Sequence, residues 1–282
     1  MELINYIIPV CRWTGNKIKG ADYSYRIKNL NFILKKFLLK QENINLRVIL
    51  IEQSLDGDFH YIPNLEYPEN LQVLKLEVNY PVFNKCWLYN VAASVVASSH
   101  LIFAEADMYS SDKNFLCNLL EFANNKKWCF GWKRLRYTNK EERDTILNGK
   151  QVSDSSNTAL RGIGKGSEGG VVYFDKMFFD LIGGYNEWIE ELGGTDNEIV
   201  VRANYISKSY LSNSDFICHL WHPLVKNNVK PTEQRIKNSK ILKYVKSNTK
   251  DSIFFLKNKK KGNFEFPLCN KKILPIWRQN VS

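Results

Sequence analysis

Leu101-Ile102-Phe103-Ala104-Glu105-Ala106-Asp107-Met108 reads as a short apolar strand that stops at two carboxylates spaced two apart. Alternate side chains of a strand share a face, so this spacing predicts that Glu105 and Asp107 point the same way from its carboxyl end. In open α/β sheets, ligands sit in the crevice outside the carboxyl ends of the strands. Two hard oxygen ligands there suit Mn²⁺ or Mg²⁺, and such a cation could hold a diphosphate. An acidic pair can also end a strand simply because turns are polar, and the stretch by itself leaves both readings open.

The flanking sequence supplies the architecture. Upstream, Asn5 to Val10 is a buried-type strand followed by a polar loop, Cys11 to Gly15. Ala21 to Lys40 places Ile27, Leu30, Ile33, Leu34, Phe37 and Leu38 at the three-four spacing of an amphipathic helix. Leu46 to Glu52 and Leu71 to Val78 are strands, and Phe83 to Ala97 is a helix that leads into the 101–105 strand. Downstream come a helix over Asp112 to Asn125 and a strand over Trp128 to Gly131. Trp132 to Gly166 is polar and without clear period, the kind of long irregular stretch that is more often functional than idle. Gly169 to Phe174 returns to strand, Lys176 to Ile182 is a short helix closed by Gly183-Gly184, and Thr195-Asp196-Asn197-Glu198 has the Thr-x-x-Glu pattern of a capping box. A last strand lies within Ser214 to His222. This alternation predicts an α/β fold with a sheet flanked by helices.

Composition narrows the class. With 44% hydrophobic residues the chain can bury a substantial core. No apolar run approaches the roughly 18–20 residues that span a bilayer, and Met1 to Val10 lacks the pattern of a secretory signal. Six scattered cysteines without a Cys-x-x-Cys pair argue for reduced thiols, a cytoplasmic setting and no zinc site. The net charge of +11 is uneven: Pro223 to Ser282 carries 15 Lys and Arg against 3 Asp and Glu, while the rest is nearly neutral. We therefore divide the chain into a domain over 1–222 and a basic, partly helical C-terminal extension over 223–282. The extension suits either a solvated helical appendage or a landing surface for anionic lipid, nucleic acid or an acidic glycan.

Seven stretches, in order, resemble motifs of the β-1,4-galactosyltransferase-like group of GT-A glycosyltransferases, and more loosely the family 2 glycosyltransferases. They are Ile51-Glu52-Gln53, Phe83-Asn84-Lys85 with Leu88-Tyr89-Asn90-Val91, Glu105-Ala106-Asp107, Glu168-Gly169-Gly170-Val171, Phe179 to Tyr185, Gly193-Gly194-Thr195-Asp196-Asn197-Glu198, and His219-Leu220-Trp221-His222. The resemblance covers about residues 47–222. Glu105 stands where the family metal motif begins with Asp, Lys85 where it has Arg, and Thr195 where it has Glu. The family tryptophan before the paired glycines is Leu192 here, with Trp188 nearby.

The resemblance implies metal-dependent transfer of a sugar from a nucleotide diphosphate, a UDP-sugar, with inversion, as in hexosyltransferases of class EC 2.4. Asp107 would be a metal ligand and His219 a second, with His222 as the alternative; imidazole favours Mn²⁺ over Mg²⁺. Glu105 would serve the ribose or a metal-bound water. Asp196 would be the base that takes the acceptor hydroxyl's proton, although an acid in a helix's first turn is also ordinary helix-start chemistry. Glu198 is the capping-box partner. Donor contacts would come from Pro9, Val10, Arg12, Glu52, Phe83, Lys85, Glu105 and Gly170, and acceptor contacts from Gly193, Gly194, Thr195 and Trp188. The acceptor class reads as a bacterial surface glycan or lipid-linked saccharide. Two other readings stay open: a glycosyltransferase acting on hydroxymethylated bases of DNA, with the basic extension holding the duplex, and a catalytically idle nucleotide- or glycan-binding module. Peripheral association with anionic membrane is expected of the extension, where Ile253-Phe254-Phe255-Leu256 precede a lysine cluster.

Overall fold

The computed structural model describes residues 2–11, 24–39, 41, 43–54, 69–78, 82–150, 152, 160–162, 169–190, 193–211, 216–223 and 233–259. Ten strands and eight α-helices run through them, with a π-helical turn, Leu34–Leu38, continuing the first helix. The larger sheet has the order β3 (Leu71–Glu77), β2 (Leu46–Ser54), β1 (Ile4–Cys11), β4 (His100–Ala104), β9 (Val171–Asp175), β6 (Trp128–Phe130). β3, β2, β1 and β4 are mutually parallel, and β9 runs antiparallel to both β4 and β6. The strand order reverses direction at β1, where β2 lies on one side and β4 on the other. That switch point leaves an opening beyond the carboxyl ends of β1 and β4.

Both sheet faces are covered, which explains why these strands are continuously apolar. On β1 and β2, Ile7, Ile49 and Ile51 join one core with Trp87, Phe103 and Phe174, while Tyr6, Ile8, Val48 and Leu50 join the other with Leu30, Leu34 and Leu116. Successive residues thus feed opposite cores, the period of two expected of a strand buried on both faces.

A second sheet, β5 (Met108–Tyr109), β10 (Phe216–His219), β7 (Arg134–Tyr137), β8 (Leu160–Gly162), begins just past the end of β4. Three of its features differ from the sequence expectation. β4 ends at Ala104, and Glu105 to Asp107 form a turn into β5, so strand alternation is not what places the two acids. The stretch 132–166, expected to be irregular, contains β7, β8 and α4 (Lys140–Leu147). Its helix starts with a true capping box, in which the Asn139 side chain accepts from Glu142 N and Glu142 accepts from Asn139 N. The capping box expected at Thr195 does not form. Gly194 is the N-cap of α6 (Thr195–Ile206), without a side-chain cap, and Thr195 is the first helical residue. Glu198 instead makes a wholly buried ion pair with Arg202, at 2.9 and 2.5 Å. The i,i+4 spacing on the helix brings these two residues together.

The extension packs on the body through α7 (Glu233–Ser247) and α8 (Thr249–Asn258). Ile241, Val245 and Leu256 are part of the same core as Trp87 and Phe103.

Candidate active site

Chain pairing at β5 builds the first half of the site. Met108 pairs with His219, and Leu220 N donates to Asp107 O at 2.9 Å, so the turn after β4 is stitched to the end of β10. His219 Nε2 then lies 3.6 Å from Asp107 Oδ1, and His222 Nε2 lies 3.2 Å from Asp107 Oδ2. The histidine segment is itself anchored. Thr138 N and Oγ1 both donate to His219 O, Trp221 N donates to Thr138 Oγ1, and the Asn29 side chain donates to Leu220 O and Trp221 O. Arg143 Nε in turn donates to Asn29 Oδ1 at 2.8 Å.

This cluster fits a divalent cation. One carboxylate and two imidazoles offer ligand atoms all within 4.8 Å of one another. Asp107 Oδ1 is buried without a hydrogen-bond partner, and such an atom asks for a ligand. His222 Nδ1 lies 3.2 Å from Pro223 O. Arg26 Nη2 lies 3.5 Å from the same Nδ1, so contacts on the far side of the ring orient it while Nε2 faces Asp107. Burial would raise the Asp107 carboxyl, but the neighbouring His219 and His222, together with Arg26 on α1 (Ser24–Ile33), hold it below its ordinary value. Both histidines named in the sequence therefore reach Asp107, whereas Glu105 stands apart from this set.

The second half centres on Lys85, the first residue of α2 (Lys85–Ser94). Its ammonium lies 2.9 Å from Glu105 Oε1 and 3.1 Å from Asp196 Oδ2, bridging two acids that sit 91 positions apart in the chain. The side chains of Lys85, Glu105 and Asp196 are 12%, 33% and 23% exposed, a partly open arrangement. Burial would lower the lysine, but Asp196 and Glu105 outweigh it and raise it. Lys85 lowers Glu105. Burial, reinforced by the charge of Glu105, raises Asp196 in spite of Lys85.

The asparagines of the α2 stretch are structural staples. Asn84 caps α2 by accepting from Trp87 N and donates to Glu187 O at 2.8 Å. Asn90 donates to Tyr185 O and Glu187 Oε1 and accepts from Tyr185 N. These bonds fix the segment that leads to Gly193, Gly194 and Asp196. From the other side, the Asn238 side chain on α7 donates to Glu190 O at 2.7 Å and Gly193 O at 3.0 Å. Gly169 completes the enclosure. A Cβ there would lie 2.7 Å from Asp196 Oδ2, so the carboxylate occupies the space a side chain would fill.

The remaining sequence-named residues are distributed as follows. Pro9, Val10 and Glu52 are buried at the ends of β1 and β2, and Arg12 lies outside the described residues. Phe83 is partly buried against the core of which Trp87 is part. Gly170 is buried, with φ +97, and its carbonyl accepts from Glu105 N at 3.0 Å. Thr195 is 4% exposed, while Gly193 is open to solvent. Trp188 is 9% exposed, with the Phe255 ring at 5.2 Å and Lys259 Nζ 4.2 Å from its centre. Thr138, Asn29, Arg26 and Asn238 carry no sequence signal of a site. Each acts through backbone atoms or through another side chain, so only the fold reveals it.

No protein-family model matches the chain, and none of the curated proteins matches it. Solved structures do. S. aureus TarS (residues 1–349, in complex with UDP-GlcNAc) is 15% identical, with TM-score 0.54, covering 100% of this chain and 78% of that one. GalNAc-T7, solved with UDP, GalNAc and Mn²⁺, is 11% identical with TM-score 0.53 over 90% of this chain and 50% of that one. The catalytic domain of Drosophila β1,4-galactosyltransferase 7, in complex with xylobiose, aligns at 11% identity and TM-score 0.45 over 85% of this chain and 80% of that one, and adds no weight by itself. The mixed sheet with its switch point at β1, the second sheet and the likenesses to TarS and GalNAc-T7 make the fold that of the GT-A glycosyltransferases.

Proposed function

We propose that this protein is a metal-dependent, inverting glycosyltransferase that moves a sugar from a nucleotide diphosphate, a UDP-sugar, to an acceptor hydroxyl. The observation that carries the reading is the pairing of two clusters at the switch point: Asp107 with His219 and His222, and Asp196 with Lys85 and Glu105. Asp107, His219 and His222 would hold Mn²⁺, which when bound offsets the negative charge that develops on the leaving diphosphate. In this reading Lys85 meets phosphate with the same ammonium that bridges the acids, and Glu105 meets the ribose or a metal-bound water. Asp196 takes the proton of the attacking hydroxyl. Burial helps it, because a carboxylate held above its ordinary value is a stronger base once ionised. Gly193 and Gly194 leave room for an acceptor sugar beside that carboxylate.

The acceptor we propose is a surface glycan or lipid-linked saccharide. The described cysteines, Cys11, Cys86, Cys117, Cys129 and Cys218, are all thiols, which suits action in the reducing cytoplasm. Among the described residues no helix is long and apolar enough to cross a membrane. The decisive measurement is hydrolysis of a panel of nucleotide sugars with and without Mn²⁺. Asp196→Asn should keep donor binding and cut turnover by roughly 10²–10⁴, the usual worth of a general base. Turnover near the parent rate would leave Asp196 as a helix-start residue and place the base elsewhere.

A further inference from the structure

Met177 and Phe254 are the two most exposed large apolar side chains among the described residues, at 81% and 71%. They belong to adjoining helices, α5 (Lys176–Leu181) and α8. The two helices meet just after α5, where a Cβ on Gly183 would lie 2.7 Å from Leu256 Cβ. Between them is a shallow hollow lined by Met177, Asp180, Leu181 and Lys257. Single exposed apolar residues are ordinary on soluble proteins, but several converging on one edge mark an interaction surface.

The sequence of α8 explains how the edge arises. Ile253 and Leu256 turn inward and are 8% and 2% exposed. Phe254, between them in the chain, therefore faces away from the body. Lys250 and Lys257 stand four residues before and three after it, on the same helix face. The apolar-basic cluster of this segment is thus divided: half seals the helix to the core, and half is presented outward with lysines on either side.

We propose that the α5–α8 edge is a docking face for an anionic phospholipid bilayer, with Met177, Leu181 and Phe254 entering the headgroup–acyl boundary. Charge selects this occupant. Residues 233–259 carry eight Lys and Arg against two acids, Glu233 and Asp251. Asp180, the acid in the hollow, is already paired with Lys176. Lysine stems can lie along apolar surface while their ammonium groups reach lipid phosphates. Duplex DNA would use the lysines but not a protruding methionine and phenylalanine. A second copy of the chain would set lysine against lysine. The proposal is independent of glycosyl transfer, because binding is measured without donor.

The test is co-sedimentation of the full chain with vesicles of phosphatidylcholine alone and of equal parts phosphatidylcholine and phosphatidylglycerol. The protein should sediment with the anionic vesicles only, and less so at high salt. Met177→Ser with Phe254→Ser should weaken partitioning by about tenfold or more, the worth of partly burying two large apolar side chains, while the melting temperature stays put. Lys250→Gln with Lys257→Gln should weaken it in the anionic vesicles. Undiminished binding by the Met177→Ser, Phe254→Ser variant overturns the face. Retention on duplex DNA without vesicle binding, at the same salt, overturns it in favour of nucleic acid. Self-association abolished by that variant, again without vesicle binding, overturns it in favour of a second copy.

Discussion

Replacing Lys85 with Met removes the cation between Glu105 and Asp196 while keeping most of the unbranched apolar stem. Two carboxylates are then left facing each other at the mouth of the site. Removing one partner from a fully buried ion pair costs about 3–5 kcal/mol. Glu105 is 33% and Asp196 23% exposed, so solvent screens part of this, and we expect about 2–3 kcal/mol. For a chain of this size that is a melting-temperature loss of about 4–6 °C at neutral pH. The sign with pH follows from the loss of the lysine. Lys85 lowers Glu105 and opposes the rise of Asp196, so without it both folded-state values move up. An acid whose folded value exceeds its unfolded one binds more protons when folded, so stability recovers as pH falls below neutral. Adding Asp196→Asn removes one of the two charges and should restore part of the loss. Thermal melts of the parent, Lys85→Met and Lys85→Met/Asp196→Asn proteins at neutral and mildly acidic pH measure all three. A Lys85→Met protein that melts like the parent, or whose deficit is the same at both pH values, refutes the bridging role.

Asp107→Ala should eliminate the Mn²⁺-dependent part of UDP binding by calorimetry, since it removes the sole carboxylate of the ligand set; binding unchanged in the variant would end the metal assignment. Gly169→Ala must displace the Asp196 carboxylate, whose Oδ2 lies 2.7 Å from the new Cβ, so turnover of a nucleotide sugar should fall by about 10²-fold with the fold intact; a near-parent rate would show that the carboxylate has room to spare. Asn238→Ala removes the side-chain bonds to Glu190 O and Gly193 O and should cost about 1–3 kcal/mol. Hydrogen exchange over residues 185–190 should quicken in it while UDP binding holds, and unaltered exchange would argue that the segment is fixed without α7.

The sheet was legible because its strands are buried on both faces and spell short apolar runs, and the helices between them because their apolar residues recur at three and four. The candidate metal ligands were legible as residue types, an acid near a strand end and a late histidine pair. Their meeting was not, because it depends on β5 pairing with β10, a two-residue strand that no periodicity announces. Reading Glu105 and Asp107 as one strand face failed for the same reason: the chain turns at residues 106–107. It sends Asp107 to the histidines and Glu105 to Lys85. The Thr195 capping box misled because Thr-x-x-Glu fits two different local structures. With Gly194 as N-cap, Glu198 stands one position past the one a capping box requires, and it pairs instead with the buried guanidinium of Arg202 one turn on. In 132–166 the polar composition hid a helix whose cap, Asn139 with Glu142, follows the same rule that failed at Thr195.

The two halves of the site rest on different supports. Asp107, His219 and His222 are held from the amino-terminal side and the middle of the chain, by Asn29, Thr138 and Arg143. The segment before Asp196 is held by α2 on one side, through Asn84 and Asn90, and by the extension on the other, through Asn238, Phe255 and Lys259. Helices that lie beyond the stretch of family resemblance thus brace the approach to Asp196, with Lys259 also 3.9 Å from Glu187. A perturbation of α7 or α8 therefore reaches the Asp196 side through these bonds, while bonds that anchor Asp107 and its histidines come from α1, α4 and Thr138. Under the proposed function, substitutions on α1, β7 or β10 should disturb the Asp107 side first, and substitutions on α7 or α8 the Asp196 side.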